Sequence, residues 1–321
     1  YMTGNADTSE SSTLSPDDAF GVLGNETRIE ILRALGDADG PLSFSELHDR
    51  VGTRDSGQFN YHLERLTGHF VRKAEDGYVL RRAGRRVIEA VLSGALTDDP
   101  TLERTRPEES CWRCGAPIEI NWNAGSVEMY CTECAGRYER RHDDGSRGDT
   151  VGEGYLGRLP FPPAGLENRA PGEILRTAWT WGNLEILSMS SGICPRCSAT
   201  VEETIHVCET HDAGDGLCDS CGGRYAAGIS FACTNCVFDA GAGFAIALIS
   251  HTALLSFITS HGLNPISPDS VRRINEVHAD YEEEIISTDP LEARFTFHID
   301  DDALTLTVEG TTVTDTDCSR L

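Results

Sequence analysis

The stretch from Asp55 to Leu66 distributes apolar and polar residues at the spacing of a helix. Asp55 can cap the first turn, and Gln58 three residues later completes a capping-box-like pair. The apolar side recurs at intervals of four and three positions and consists of Phe59, Leu63 and Leu66. The polar side carries hydrogen-bonding or cationic tips on Gln58, Tyr61, His62 and Arg65. Such a face can read base edges in a DNA major groove, although a merely solvated helix face gives the same pattern.

The residues on both sides of this helix predict a larger motif. Asn25 can cap an earlier helix, and Ser43 with Glu46 forms a capping box at the start of a short one. Asp76-Gly77 is a strong hairpin signal. Residues 70–73 and 78–80 are predicted strands on either side of that signal, and residues 83–96 are a last predicted helix. Helix, turn, second helix and hairpin together predict a winged helix-turn-helix.

Basic side chains concentrate in the predicted wing and at the start of the helix after it. They are Arg72, Lys73, Arg81, Arg82, Arg85 and Arg86. This cluster predicts a phosphate-facing patch, and a generic solvated cluster is the alternative. The candidate DNA-binding residues are therefore Arg54, Ser56, Gln58, Asn60, Tyr61, His62, Arg65, Arg72, Lys73, Arg81 and Arg82.

Two segments, DDAFGVLGNETRIEILRAL and FSELHDRVGTRDSGQFNYHLERLTGHFVRKAEDGYVLRRAG, give this region a family resemblance. The chain resembles the ArsR-type winged-helix regulators over about residues 16–96. It resembles more narrowly the haloarchaeal group that carries Cys-rich modules after this domain. The resemblance implies a transcription regulator that dimerises through its outer helices. Metal-sensing members carry cysteines in the helix before the turn, where this chain has FSELHDRV, so metal sensing at that position is not implied.

Cysteine pairs of the form C-x2-C dominate the second half of the chain. The first two pairs lie sixteen residues apart, are separated by two predicted strands (118–122 and 127–130), and consist of Cys111, Cys114, Cys131 and Cys134. This spacing is typical of a four-cysteine zinc ribbon. Disulfides are the alternative, and a cytosol disfavours them.

Eight further ligand-type residues predict two more zinc sites. They are Cys194, Cys197, Cys208, His211, Cys218, Cys221, Cys233 and Cys236. Because short loops cost least to close, we favour sequential pairing, 194/197 with 208/211 and 218/221 with 233/236. A cross-brace, 194/197 with 218/221 and 208/211 with 233/236, stays open, and the repeated segments CTECAGRY and CDSCGGRY support it. His206 or a nearby carboxylate could replace His211, whereas Cys318 stands alone.

The remaining segments complete an α+β prediction. Residues 171–188 read as a helix, and alternating strands at 291–300 and 303–309, with 311–316 as a possible third strand, read as a small sheet. Ala240–Pro268 lacks charged residues and predicts one or two buried helices, with a membrane span as the alternative. The predicted order is a disordered tail (1–15), winged helix-turn-helix (16–97), linker (98–109), zinc ribbon (110–165), connecting helix (166–192), double zinc module (193–240) and C-terminal α+β module (241–321).

Composition changes this picture in one respect. The chain has 321 residues with 52 acidic and 27 basic side chains, and Lys73 is its only lysine. Such acid-rich, lysine-poor composition predicts a halophile's cytosol. Residues 16–96 hold 13 acidic and 11 basic residues, so nearly all of the negative charge lies outside the predicted DNA-binding domain. No signal peptide is apparent, which also favours a cytoplasmic protein.

The sequence therefore predicts a sequence-specific transcription regulator that binds double-stranded DNA as a homodimer and holds about three structural Zn²⁺ ions per chain. A small-molecule or protein effector could bind the C-terminal module. Two other functions stay open: an adaptor that contacts the transcription machinery through its zinc ribbons, and a thiol- or metal-responsive sensor. No nucleophile elbow, P-loop or dinucleotide fingerprint is present, so we expect no enzymatic activity.

Overall fold

A computed structural model describes residues 14–139 and 154–320 of the chain. The predicted disordered tail lies almost entirely outside these residues. Two compact units are present, one up to Asp98 and one from Asp99 onward. Within the described residues the chain is mixed α+β, with helices and four small sheets of two to four strands.

The first unit consists of helices and one hairpin. Its elements are α1 (Pro16–Leu23), α2 (Glu26–Gly36), α3 (Phe44–Val51), α4 (Ser56–Leu66), β1 (Val71–Ala74), β2 (Gly77–Leu80) and α5 (Arg82–Leu92). The predicted caps are confirmed: the Asn25 side chain accepts the N–H of Arg28, and Ser43 and Glu46 form both halves of a capping box. Asp55 accepts the N–H groups of Gly57 and Gln58 at the start of α4. Local side-chain chemistry thus fixes where three of these helices begin.

The hairpin is attached to the helices through backbone hydrogen bonds. Leu42 and Tyr78 exchange them at 3.1 and 2.8 Å. Gly77 sits at φ 144°, and a Cβ there would lie 2.3 Å from the Leu42 carbonyl oxygen, so this close approach requires glycine. The core beneath includes residues from all three central helices and the hairpin, among them Ile31, Leu32, Leu47, Phe59, Leu63, Leu66 and Val71.

The second unit alternates small sheets with helices. Its strands are β3 (Leu102–Thr105), β4 (Ile118–Asn123), β5 (Ser126–Cys131), β6 (Tyr155–Pro160), β7 (Val201–Val207), β8 (Ala227–Cys233), β9 (Asp239–Gly243), β10 (Glu282–Thr288), β11 (Leu291–Ile299), β12 (Asp302–Glu309) and β13 (Thr312–Arg320). Its helices are α6 (Pro171–Met189), α7 (Thr252–Ser260) and α8 (Val271–Ala279), with short 3-10 helices at Pro163–Leu166 and Phe244–Ser250.

The first sheet of this unit has the strand order β3-β4-β5-β6. The predicted hairpin β4–β5 is confirmed, with Ile118 opposite Cys131. The prediction of a linker over residues 98–109 was only partly correct, because residues 102–105 form β3 and pair with β4. Buried residues of β4 and β5 pack with the α6 residues Leu175 and Trp179 in one core.

The other two sheets share a second core. Strands β7-β8-β9 form a three-stranded antiparallel sheet, and β10-β11-β12-β13 form a four-stranded meander. Phe231 of β8, Phe244 and Phe295 of β11 belong to a single cluster of buried residues. This core therefore runs across the module boundary predicted at residue 240.

The charge-poor stretch Ala240–Pro268 contains β9, one 3-10 helix and the nine-residue helix α7. In the part of the chain that the structure describes, no helix has the length and hydrophobicity that a membrane crossing requires.

Candidate metal centres and nucleic-acid face

Four cysteines converge at the base of the β4–β5 hairpin. They are Cys111, Cys114, Cys131 and Cys134, and their sulfur atoms all lie within 4.8 Å of one another. The Sγ atoms of Cys111 and Cys134 are 3.8 Å apart, and those of Cys114 and Cys131 are 3.4 Å apart. These distances are far longer than the S–S bond of about 2.05 Å, so the cysteines are free thiols arranged around a common centre. The group could hold one metal ion.

Two more groups of four lie in the second half of the unit, but neither predicted pairing is correct. One group consists of Cys194, Cys197, Cys233 and Cys236, and the other of Cys208, His211, Cys218 and Cys221. The first and last knuckles therefore pair with each other, and the two middle knuckles pair with each other. Both the sequential pairing and the cross-brace are overturned by this nested arrangement.

Strand pairing explains the nested arrangement. Antiparallel β7 and β8 place Val201 opposite Cys233, so the knuckle before β7 meets the knuckle after β8. At the other end of the hairpin, the N–H of Cys208 donates to the Ala226 carbonyl at 2.9 Å. This bond closes the base of the loop 208–226, which contains both middle knuckles. Loop-closure entropy favours short loops, but the hydrogen bonds of a seven-residue strand pair determine which ends meet.

The structure places His211, and not His206, among the ligand-type residues. His211 Nδ1 lies 3.5 Å from the Cys221 sulfur, and its Nε2 is 3.0 Å from the Arg224 carbonyl oxygen. An Nε2–H that donates to a carbonyl leaves Nδ1 with a free lone pair for a metal. His206 instead points Nε2 toward the Ser230 hydroxyl at 2.8 Å.

Backbone and side-chain amides donate to the sulfur atoms of every group. Two N–H groups reach Cys131 at 3.4 and 3.3 Å, and two reach Cys233, each at 3.4 Å. The N–H of Ala199 and the side-chain amide of Asn235 lower the pKa of Cys197 to about 6. The N–H groups of Asp212 and Cys221 lower the pKa of Cys218 to about 6. Such donors stabilise thiolates, the form in which cysteine binds metals.

Other thiols in the same groups retain their protons more strongly. Burial raises the pKa of Cys221 to about 11. A divalent cation would replace such a proton, so metal binding at these sites would release protons and weaken in acid.

The first unit presents the polar side of α4 and the basic cluster at its surface. Most of the residues predicted to bind DNA are exposed there, namely Arg54, Ser56, Gln58, Tyr61, Arg65, Arg72, Lys73 and Arg82. Two are half-buried and hold local partners: Asn60 donates to Glu64 at 2.8 Å, and Arg81 donates to the Gly68 carbonyl. Tyr61 is 57% exposed, so its ring projects from the helix.

His62 does not lie on this polar face, contrary to the sequence prediction. Its side chain is 7% exposed, and its neighbours in helical spacing, Phe59 and Leu66, are fully buried. Burial, together with the nearby Arg28, lowers the pKa of His62. The apolar stripe of α4 is wide enough to include position 62, which lies between 59 and 66 on the same side of the helix. The exposed face therefore consists of Gln58, Tyr61 and Arg65.

The two repeated segments contact each other. Tyr138 of the first segment and Gly223 of the second form an antiparallel bridge. The N–H of Arg224 donates to the Arg137 carbonyl at 3.2 Å, and the Arg224 guanidinium donates to the Gly136 carbonyl at 3.2 Å. Hydrogen bonds thus join the residues that follow the first group of four (Cys111, Cys114, Cys131 and Cys134) to those that follow the third (Cys208, His211, Cys218 and Cys221). These three groups of four are called the metal groups below.

Two family models match the chain. One, described as Domain of unknown function (DUF7347), covers residues 16–91. The other, described as Domain of unknown function (DUF7351), covers residues 108–313, which is more than half of the chain. The chain belongs to the DUF7351 family. Searches of the curated proteins and of the solved structures returned no match.

All three metal groups lie within the DUF7351 region. Sequence reasoning found their ligand-type residues but missed two supporting ones in this region. Asn235 donates to the Cys197 sulfur at 3.7 Å, and the Arg224 carbonyl orients His211. Only the repeated Gly-Arg-Tyr after a knuckle marked Arg224 in the sequence, and no pattern distinguished Asn235.

Proposed function

We propose that this protein is a sequence-specific transcription regulator, in which the unit up to Asp98 is an ArsR-type winged helix-turn-helix that binds double-stranded DNA. The observation that carries this proposal is the exposed face of α4. Gln58, Tyr61 and Arg65 project from a helix whose opposite side is buried, and α3 precedes that helix through a short turn. The β1–β2 hairpin follows it and exposes Arg72 and Lys73. These are the parts that a helix in the major groove and a wing on the backbone need.

The proposal includes a homodimer that forms through the outer helices of this unit. Phe20 on α1, Leu92 on α5 and Leu96 beyond it are exposed large apolar side chains. Their burial against a second copy would remove them from water. Sedimentation equilibrium of the full-length protein tests the dimer.

We further propose that the three metal groups hold structural zinc. Four sulfurs at about 2.3 Å from a tetrahedral Zn²⁺ lie about 3.8 Å apart. In the two four-cysteine groups the sulfur pairs are 3.4 to 3.8 Å apart, and Cys194–Cys236 and Cys197–Cys233 of the second group are at 3.7 and 3.5 Å. Each group offers four protein ligands, which leaves no open position for a reacting water. The ions would therefore hold hairpin ends together and would not supply catalysis.

The test is a selection of bound duplexes from a randomised library with the full-length, zinc-loaded protein in molar potassium chloride. We expect one enriched motif, and we expect it to disappear in the variant Gln58→Ala/Arg65→Ala. The matched control is Glu26→Ala, a change at an exposed position on α2 in the same unit. Absence of any motif with the unchanged protein would overturn the proposal.

A protein-binding adaptor is the second candidate, and one observation favours it. Ile193 and Val237, which flank the second metal group, are exposed, Val237 to 100%. Exposed apolar residues beside a zinc knuckle suit contact with a partner protein. If Ile193→Ser/Val237→Ser abolished regulation while the selected DNA motif stayed unchanged, both functions would operate in one chain.

A further inference from the structure

A large cavity lies inside the unit that begins at Asp99. Its volume is about 720 Å³, and it is bounded by β5, β6, α6, the β8–β9 pair and α8. Cavities of this size suit small organic ligands. Its walls include the apolar side chains of Trp179, Ile186, Ile229 and Phe231. Neither the three metal groups nor the exposed face of α4 accounts for this cavity.

A buried arginine forms part of the wall. Arg137 is 8% exposed, and it makes no ion pair with a carboxylate among residues 14–139 and 154–320. Among the described residues its Nε has no hydrogen-bond partner, and its Nη2 donates to the His278 carbonyl at 3.4 Å. Gly243 permits this position, because a Cβ there would lie 2.9 Å from Nη2.

Three tyrosine rings partly compensate the charge of Arg137. The guanidinium carbon lies 5.3, 5.5 and 6.0 Å from the rings of Tyr138, Tyr225 and Tyr281. Ring faces attract a cation, but they do not satisfy the five directed N–H donors of a guanidinium. A buried charge whose hydrogen-bond donors lack acceptors raises the free energy of the folded protein. An anion bound at Arg137 would lower it.

Two further polar side chains face the cavity from one side of α8. Asn275 and His278 are three residues apart on that helix, and both line the cavity. Asn275 Nδ2 and His278 Nε2 are buried, and neither has a hydrogen-bond partner in the part of the chain that the structure describes. Burial and the charge of Arg137 lower the pKa of His278 to about 4, so the imidazole is neutral and can donate one N–H.

Carboxylates in the wall limit the charge of any ligand. Glu128 accepts from the Tyr130 hydroxyl at 2.8 Å, Glu185 pairs with Arg196, and Glu139 has a partner of its own. These residues do not neutralise Arg137, but they disfavour a second negative charge nearby. Among the described residues, the cavity thus offers the Arg137 guanidinium without a carboxylate partner, two neutral donors and an apolar body, with the carboxylate of Asp239 at an exposed part of its wall.

We infer that this cavity binds a small organic monocarboxylate, with its carboxylate on Arg137 and its apolar part against Trp179, Ile229 and Phe231. The planar guanidinium matches a carboxylate through two parallel hydrogen bonds. Asn275 and His278 supply the remaining donors. This site is independent of the proposed DNA binding, because it lies within the DUF7351 region and can be measured on the protein alone.

The first test compares charged and neutral probes on the unchanged protein. Decanoate, phenylbutyrate and indole acetate are each titrated by calorimetry into full-length, zinc-loaded protein in molar potassium chloride. Each is compared with the alcohol of the same carbon skeleton. We expect at least one carboxylate to bind at one site per chain, about tenfold to a hundredfold more tightly than its alcohol. If no carboxylate binds more tightly than its alcohol, the inference is wrong.

The second test uses variants, with circular dichroism to confirm folding. Arg137→Met removes the charge, and we expect the bound carboxylate to fall to the affinity of its alcohol. Asn275→Leu removes one donor from the wall and provides a second variant if Arg137→Met does not fold. Arg294→Met, a surface arginine that pairs with Glu284 on the far sheet, is the control and should bind as the unchanged protein does. Unchanged carboxylate binding by folded Arg137→Met would overturn the assignment.

Discussion

At the scale of single residues, amide donors orient the sulfur atoms of the ligand-type cysteines. The N–H groups around Cys131, Cys194 and Cys233 each reach a sulfur at 3.3 to 3.4 Å. These hydrogen bonds restrict the backbone conformation of each knuckle, so a neighbouring residue cannot take the place of a removed cysteine. The free energy of metal binding in small modules is also the free energy of their folding.

We therefore expect Cys131→Ser and Cys221→Ser each to lose one metal ion and to unfold locally around the altered group. Metal analysis should give three ions per chain before the change and two after it, in keeping with the three groups. Hydrogen exchange should increase near the affected hairpin only. Cys318→Ser is the control, because Cys318 is exposed and is not part of the three groups found among residues 14–139 and 154–320. A well-folded, metal-free protein with disulfides would contradict this expectation.

Substitutions of the residues proposed to contact DNA should have two kinds of effect. If α4 reads the major groove as proposed, Gln58→Ala or Arg65→Ala should reduce discrimination between duplexes by about 1–3 kcal/mol, because each would remove a contact to a base edge. Arg82→Ala should weaken binding to all duplexes alike, because it would remove a proposed phosphate contact. Competition titrations with the selected motif and with scrambled duplexes measure both effects. If the Gln58 and Arg65 variants discriminate as the unchanged protein does, α4 is not the reading helix.

Residue patterns predicted the buried side of α4 correctly, but they placed His62 on the exposed side and Leu92 on the buried side of α5, and Asn60 and Arg81 are half-buried. A histidine tip looks polar in a sequence, yet position 62 lies inside the stripe defined by Phe59 and Leu66. The special role of Arg137 was equally hidden. An arginine after a knuckle resembles the many solvated arginines of this chain, and only the packing of the adjacent Tyr138 and the distant Tyr225 and Tyr281 around it reveals its burial.

At the scale of elements, strand pairing decided what local spacing could not. The hairpin β4–β5 was predictable because both knuckles lie directly at its ends. The β7–β8 pairing was not, because each knuckle could close a short loop with either neighbour. Strands β3 and β10 were missed, since short or acid-rich edge strands such as EEEIIST look like linkers in a sequence.

The nested arrangement gives a count that distinguishes it from both alternatives. Cys208→Ser/Cys221→Ser alters a single group, so we expect this double variant to lose one metal ion. Sequential pairing and the cross-brace both divide these two cysteines between different groups and would cost two ions. Cys194→Ser/Cys208→Ser is the matched control and should lose two. Metal analysis of the purified variants gives the counts directly, and two ions lost from the first variant would contradict the structure.

At the scale of the whole molecule, the chain separates its charge between its two units. Residues 16–96 carry 13 acidic and 11 basic side chains, whereas the rest of the chain carries 39 and 16. A large negative charge would repel DNA at low salt, and in concentrated salt that repulsion is screened over a few ångströms. The composition is thus compatible with DNA binding only where screening is strong.

The dependence of binding on salt follows from this charge distribution. Affinity that comes from phosphate contacts falls with log salt at a slope of about −0.9 per neutralised phosphate. Gln58, Tyr61 and Arg65 carry one formal charge, on Arg65, and the unit's basic residues are nearly balanced by acidic ones, including the exposed Glu64 of the same helix. We therefore expect specific binding to persist in molar potassium chloride with a shallow slope, supported by base contacts, duplex shape and the two half-sites of a dimer. Titration of the selected motif across that range measures the slope, with a scrambled duplex as the control. A steep slope with no specific binding left at molar salt would mean that the cluster from Arg72 to Arg86 dominates, and it would contradict this interpretation of the acidic composition.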